Sequence, residues 1–111
     1  MKIEKQFIPL ILSGKKKYEF RQDTDKEGIY KIEDKYFMLR WIQTGHIGSY
    51  QNFDDCSVWY TVEADVNKVY HITKAEYDWF NENEDYIANE ITIYEWIPLE
   101  FKKLEIVEGK E

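Results

Sequence analysis

The 111-residue chain is predicted to fold as one small α+β domain, and three observations predict it. Segments with a period of two outnumber segments of helical period, and they are not interleaved with helices in a regular βαβ alternation. Aromatic residues make up 17% of the chain, with nine tyrosines and four tryptophans, types that strands favour. The length suits a single core spanning residues 1–111, and no linker, repeat or low-complexity tract divides it. About six strands and two flanking helices are expected, arranged as a partly closed β-barrel.

The elements follow in order. Ile3, Phe7, Leu10 and Ile11 recur at spacings of three and four, which marks one buried helical face. Pro9 is tolerated only in a first turn, so the helix is short and starts near Ile8. Gly14 closes it, because glycine takes the left-handed conformation found past helix ends. Lys17–Gln22 is a strand whose Tyr18 and Phe20 face one way and whose Lys17, Glu19 and Arg21 face the other. A polar turn-rich loop over 23–28 leads to a short strand, Ile29–Ile32. Lys35–Gln43 is so nearly continuous in apolar residues that burial on both faces is expected, with Arg40 as a paired or edge exception. Residues 44–55 are expected to be irregular, a surface loop beside a cleft, with His46 exposed. Ser57–Val66 alternates, with Val58, Tyr60, Val62, Ala64 and Val66 on one face and Trp59, Thr61, Glu63 and Asp65 on the other. Val69–Ile72 is a further strand. Thr73 and Glu76 form a capping box that opens a helix from Lys74 to about Asn83, burying Tyr77 and Phe80, with Trp79 beside them. Strands over Glu90–Ile97 and Phe101–Val107 complete the chain, and residues 108–111 are expected to fray.

Composition excludes several classes of function. Cys56 is the only cysteine, which leaves no internal disulfide and no cysteine-based metal cluster. His46 and His71 are too few for a zinc site, and no metal or cofactor is expected. No apolar run approaches membrane-spanning length and none resembles a leader, so a cytoplasmic protein is expected. The net charge of −7 argues against a general nucleic-acid binder. Yet residues 1–40 carry a net +3 and residues 41–111 a net −10, so any anion-binding surface is local and built from the first third. Gly45 and Gly48 do not make a phosphate loop, since no Gly-Lys-Ser/Thr follows.

The densest chemistry lies in Leu12-Ser13-Gly14-Lys15-Lys16-Lys17-Tyr18-Glu19-Phe20-Arg21. This stretch resembles the signature of the ASCH domain, a branch of the PUA-like superfamily: glycine, any residue, lysine, two residues, glutamate, any residue, arginine. Gly14, Lys16, Glu19 and Arg21 occupy its four positions, and the segment from Lys5 to Leu12 resembles the family's lead-in helix. The match covers about the first fifth of the chain. The resemblance implies a PUA-like β-barrel and a role in binding RNA or a nucleotide- or nucleoside-like ligand.

Three uses of the motif compete. As a binding site, Lys16 and Arg21 hold a phosphate or a base edge while Glu19 orients them. Gly14, Lys15 and Lys17 flank that site, and Trp59, on the polar face of its strand, is the best stacking candidate. Trp41 and Tyr18 are lesser ones. As a catalytic site, Lys16 acts as a general base beside Glu19. Some ASCH proteins hydrolyse N4-acylated cytidines with a lysine, a threonine nucleophile and a distant glutamate. Here Glu19 stands at the threonine position and cannot be that nucleophile, and Glu82 or Glu84 would have to supply the distant acid. As structure, Glu19 bridges two cations, in a protein whose work is regulation through protein partners. The binding reading leads. It carries the expectation that Lys16→Ala and Arg21→Ala abolish binding with little effect on stability.

Overall fold

The structure, a computed structural model, describes residues 1–52 and 60–100. A single 3-10 turn, Lys5–Phe7, runs into α1, Ile8–Leu12, with Pro9 in the first turn where its missing N–H costs nothing. The strands are β1 (Tyr18–Arg21), β2 (Gly28–Ile32), β3 (Lys35–Gly45), β4 (Tyr50–Asn52), β5 (Tyr60–Glu63), β6 (Val69–Ile72) and β7 (Ile91–Pro98). Helix α2 spans Lys74–Glu82, and a single turn, α3, spans Asp85–Ala88. Among the described residues no helix is long and apolar enough to cross a membrane.

The strands form two antiparallel sheets, one ordered β1-β7-β3-β2 and the other β4-β5-β6. The expected barrel is not closed among these residues. The expected strand over Phe101–Val107 and the frayed tail lie outside the described residues, as do positions 57–59 of the alternating segment.

β7 is central to the first sheet and serves two cores at once. Ile91 and Ile93 join Phe20, Val62, Tyr70, Ile72 and Phe80 in the core between the sheets. Tyr94 and Trp96 point the other way, toward Phe7, Ile11, Phe37 and Leu39 under α1. A strand covered on both faces cannot alternate between polar and apolar, and Ile91 through Tyr94 are all fully buried.

β3 departs from its expected form. Its register against β7 shifts between Trp41 and Gln43. One extra residue reverses the facing of all that follow. Phe37 and Leu39 therefore face the α1 core, whereas Gln43 and Gly45 pair with Ile93 and Ile91 on the opposite face. The bulge leaves Arg40 and Trp41 exposed, so the strand is not buried on both faces throughout. Arg40 pairs with Glu95, its cross-strand neighbour, at 2.7 Å. The irregular stretch is also shorter than expected, because β3 continues to Gly45 and Tyr50–Asn52 pairs with β5. His46 is exposed, with Nδ1 3.4 Å from Asp65 Oδ2.

Candidate functional site

The site is assembled at the edge of β1 away from β7, where the two cores meet. α1 ends at Ser13, and Gly14 takes a φ of +82°. The Lys16 amide then donates to Leu10 O at 2.9 Å, closing the reversal. This turn drives the Lys16 side chain inward rather than into solvent. Its Nζ stands 5.0 Å from the Phe7 ring centroid and 5.9 Å from that of Phe20, one ring from each core.

On the opposite wall the capping box of α2 forms as expected, and it does more than cap. Glu76 Oε1 accepts from the Thr73 amide at 3.0 Å and the Thr73 hydroxyl at 2.9 Å. Glu76 Oε2 is thereby turned to Lys16 Nζ, 3.1 Å away. Lys16 also donates to Tyr18 O at 2.7 Å and lies 3.5 Å from Glu19 Oε1. Glu19 in turn accepts from Arg21 Nε at 2.7 Å and from the Trp96 indole at 3.2 Å. Arg21 Nη2 reaches the carbonyl of Lys2 at 2.8 Å. Two cations and two carboxylates thus balance, and Lys16, Glu19 and Glu76 are all less than 8% exposed. Buried charges survive only in such paired, hydrogen-bonded sets.

These residues open onto a pocket with about 80 Å³ of free room. Lys2, Ile3 and Glu4 of the N-terminal segment form one side, and Trp79, Phe80 and Tyr86 form an aromatic side. Trp79 and Tyr86 meet edge-to-face at 4.6 Å, and the Trp79 indole donates to Glu4 Oε2 at 2.7 Å. Burial pushes the Tyr86 phenol above its ordinary range; Arg21 opposes that shift, and Glu19 adds to it.

The structure brings Lys16, Glu19 and Arg21 together, but not the other expected ligands. Gly14 is exposed and serves the helix end alone. Lys15 and Lys17 are exposed and do not line the pocket. Trp59 lies outside the described residues. Trp41 spends its indole N–H on Thr44, and Tyr18 packs into the inter-sheet core. Glu82 and Glu84 are exposed, and neither lines the pocket; Glu76 is the acid that meets the lysine. Its capping role was visible locally, but nothing local pairs it with Lys16. Tyr86 was missed altogether, because the four-residue α3 has no helical period to detect.

No protein-family model matches the chain, and no curated protein or solved structure is detectably similar to it.

Proposed function

We propose that this domain binds RNA or a nucleotide-like ligand by admitting one base into the pocket that holds Lys16, Glu19 and Arg21. The observation that carries the reading is the composition of the pocket: balanced charge beside an aromatic wall. Lys2, Lys16 and Arg21 face Glu4, Glu19 and Glu76, so the lining is neutral overall while rich in donors and acceptors. Such a lining suits a flat heteroaromatic group better than a run of phosphates. Trp79 and Tyr86 offer aromatic faces for stacking beside the charged groups. The small room and the chain's net charge of −7 favour one inserted base over a duplex track. The ASCH-type, PUA-like assignment is part of the same proposal, supported by the motif at Gly14, Lys16, Glu19 and Arg21 in its helix-to-strand setting.

One observation favours the amidohydrolase reading as second: Lys16 has an acid partner in Glu76 at 3.1 Å. The missing part is a nucleophile. No serine, threonine or cysteine lines the pocket among the described residues, and Thr73 is engaged in the capping box.

The test is calorimetric titration of wild type and Arg21→Gln with nucleosides, N4-acetylcytidine and short single-stranded RNAs. Chromatography of the same mixtures detects deacylation. Binding that Arg21→Gln weakens is expected. Turnover of N4-acetylcytidine would move the enzymatic reading to first place, and absence of any binding would end both.

A further inference from the structure

The most specific feature of the pocket is a length of main chain. Among the described residues β1 is an outer strand, paired only with β7. In an antiparallel ladder, alternate residues turn their N–H and C=O toward the partner, and the residues between turn theirs away. The Trp96 amide donates to Lys17 O at 2.9 Å, which sets the phase. With Glu19 opposite Tyr94 and Arg21 opposite Thr92, Lys17, Glu19 and Arg21 are the inward residues. Tyr18 and Phe20 therefore direct their main-chain groups away from β7. The far side of β7 agrees: the Leu99 amide donates to Tyr36 O, which phases β3 against the alternate β7 residues.

Tyr18 shows what lies on the outward side. Its carbonyl accepts from Lys16 Nζ, the same atom that meets Glu76 of α2. Two residues along the same edge comes Phe20, which lines the pocket between Glu19 and Arg21. Among the described residues no group hydrogen-bonds the Phe20 amide or carbonyl from that side. Phe20 is 5% exposed over the whole residue and lines the pocket, so the pocket is where its outward main-chain groups find a partner, water in the free protein or a ligand.

We infer that the pocket reads the hydrogen-bonding edge of its ligand through the main chain of Phe20, the amide donating and the carbonyl accepting. The inference rests on the base-binding reading above and specifies it. The complementary ligand is a neutral planar group with an N–H donor beside an acceptor, as on the pairing edges of adenine, cytosine and uracil. Lys16 and Arg21, engaged with Glu76, Glu19 and Lys2 O, then hold the walls while the strand edge selects.

The test uses the full chain labelled with nitrogen-15. In the free protein the Glu19 and Arg21 amide protons are expected to exchange slowly with water and that of Phe20 much faster. Equal protection of all three overturns the inference. Cytidine, adenosine and uridine are then titrated beside N4,N4-dimethylcytidine, N6,N6-dimethyladenosine and 3-methyluridine. The parent nucleoside that binds is expected to move the Phe20 amide resonance and slow its exchange. Its methylated counterpart is expected to bind about tenfold more weakly, the scale of one buried hydrogen bond left unmade. A counterpart that binds as well as its parent, with the Phe20 amide unmoved, overturns the inference and leaves base binding standing. Failure of all three parents to bind removes base binding itself and the inference with it.

Discussion

Lys16 Nζ lies 3.1 Å from Glu76 Oε2, across sixty residues of chain, and both side chains are at most 5% exposed. This pair joins the turn after α1 to the first turn of α2. Each partner also has a local duty: Lys16 bonds Tyr18 O, and Glu76 caps its own helix. The charged set is therefore a structural joint and the wall of a pocket at once.

That double role revises the expectation that Lys16→Ala leaves stability nearly unchanged. Removing the ammonium leaves Glu19 and Glu76 buried without their shared cation. The expected loss is about 3–5 kcal/mol, the usual cost of breaking one half of a buried pair. Urea denaturation measures it. Lys16→Met with Glu76→Gln should recover part of the loss, and a strictly additive double mutant would show that the two side chains are not coupled.

Thr73→Ala removes the hydroxyl that both caps α2 and aims Glu76. A loss of about 1 kcal/mol is expected, with Thr73→Ser near wild type. If the hydroxyl positions Glu76, Thr73→Ala also weakens nucleoside binding while Thr73→Ser does not. Unchanged affinity in Thr73→Ala would confine the threonine to capping.

Two arginines on the strands either side of β7, in β1 and β3, make a matched comparison. Arg21 is 23% exposed and linked to Glu19 and Lys2 O, whereas Arg40 is 60% exposed and linked to Glu95. Arg40→Ala should change stability by no more than about 1 kcal/mol, as exposed ion pairs do, and leave binding intact. Arg21→Gln should cost binding. Equal effects of the two on nucleoside affinity would contradict a site at β1.

Alkaline stability should fall in a defined window. Burial, and secondarily Tyr18, pushes the Tyr70 phenol up to about 12. Burial also raises Tyr18, with Glu95 adding to it, and Tyr94, which the Lys26 amide partly opposes. An unfolded phenol titrates near 10, so the folded chain holds these protons more tightly. Their contribution is whole below about pH 10 and is lost as the pH rises through the raised values, about 12 for Tyr70. Urea midpoints across that window, read beside phenolate absorbance, check the sign. A midpoint that rises there would refute it.

Much of the chain was legible because its signals are local. Val69–Ile72, the capping box at Thr73 and Glu76, the end of α1 at Gly14 and the arrest of β7 at Pro98 each follow from a few adjacent residues. The bulge at Trp41–Gln43 was not legible, because an extra residue shows only against the strand it fails to match. β4 was hidden by its length of three residues, too short for a period.

The same division runs through the site. From the sequence alone came the α+β class, the motif Gly14, Lys16, Glu19 and Arg21, and the cap that fixes Glu76 in the first turn of α2. Only the tertiary structure decided which lysine turns inward, which acid meets it, and that Trp79, Tyr86 and the N-terminal segment wall the pocket. Capping and turn chemistry act over three or four residues, where sequence spacing is also distance in space. The Lys16–Glu76 contact depends on where the edge of β1 away from β7 meets α2, and no spacing along the chain encodes that meeting.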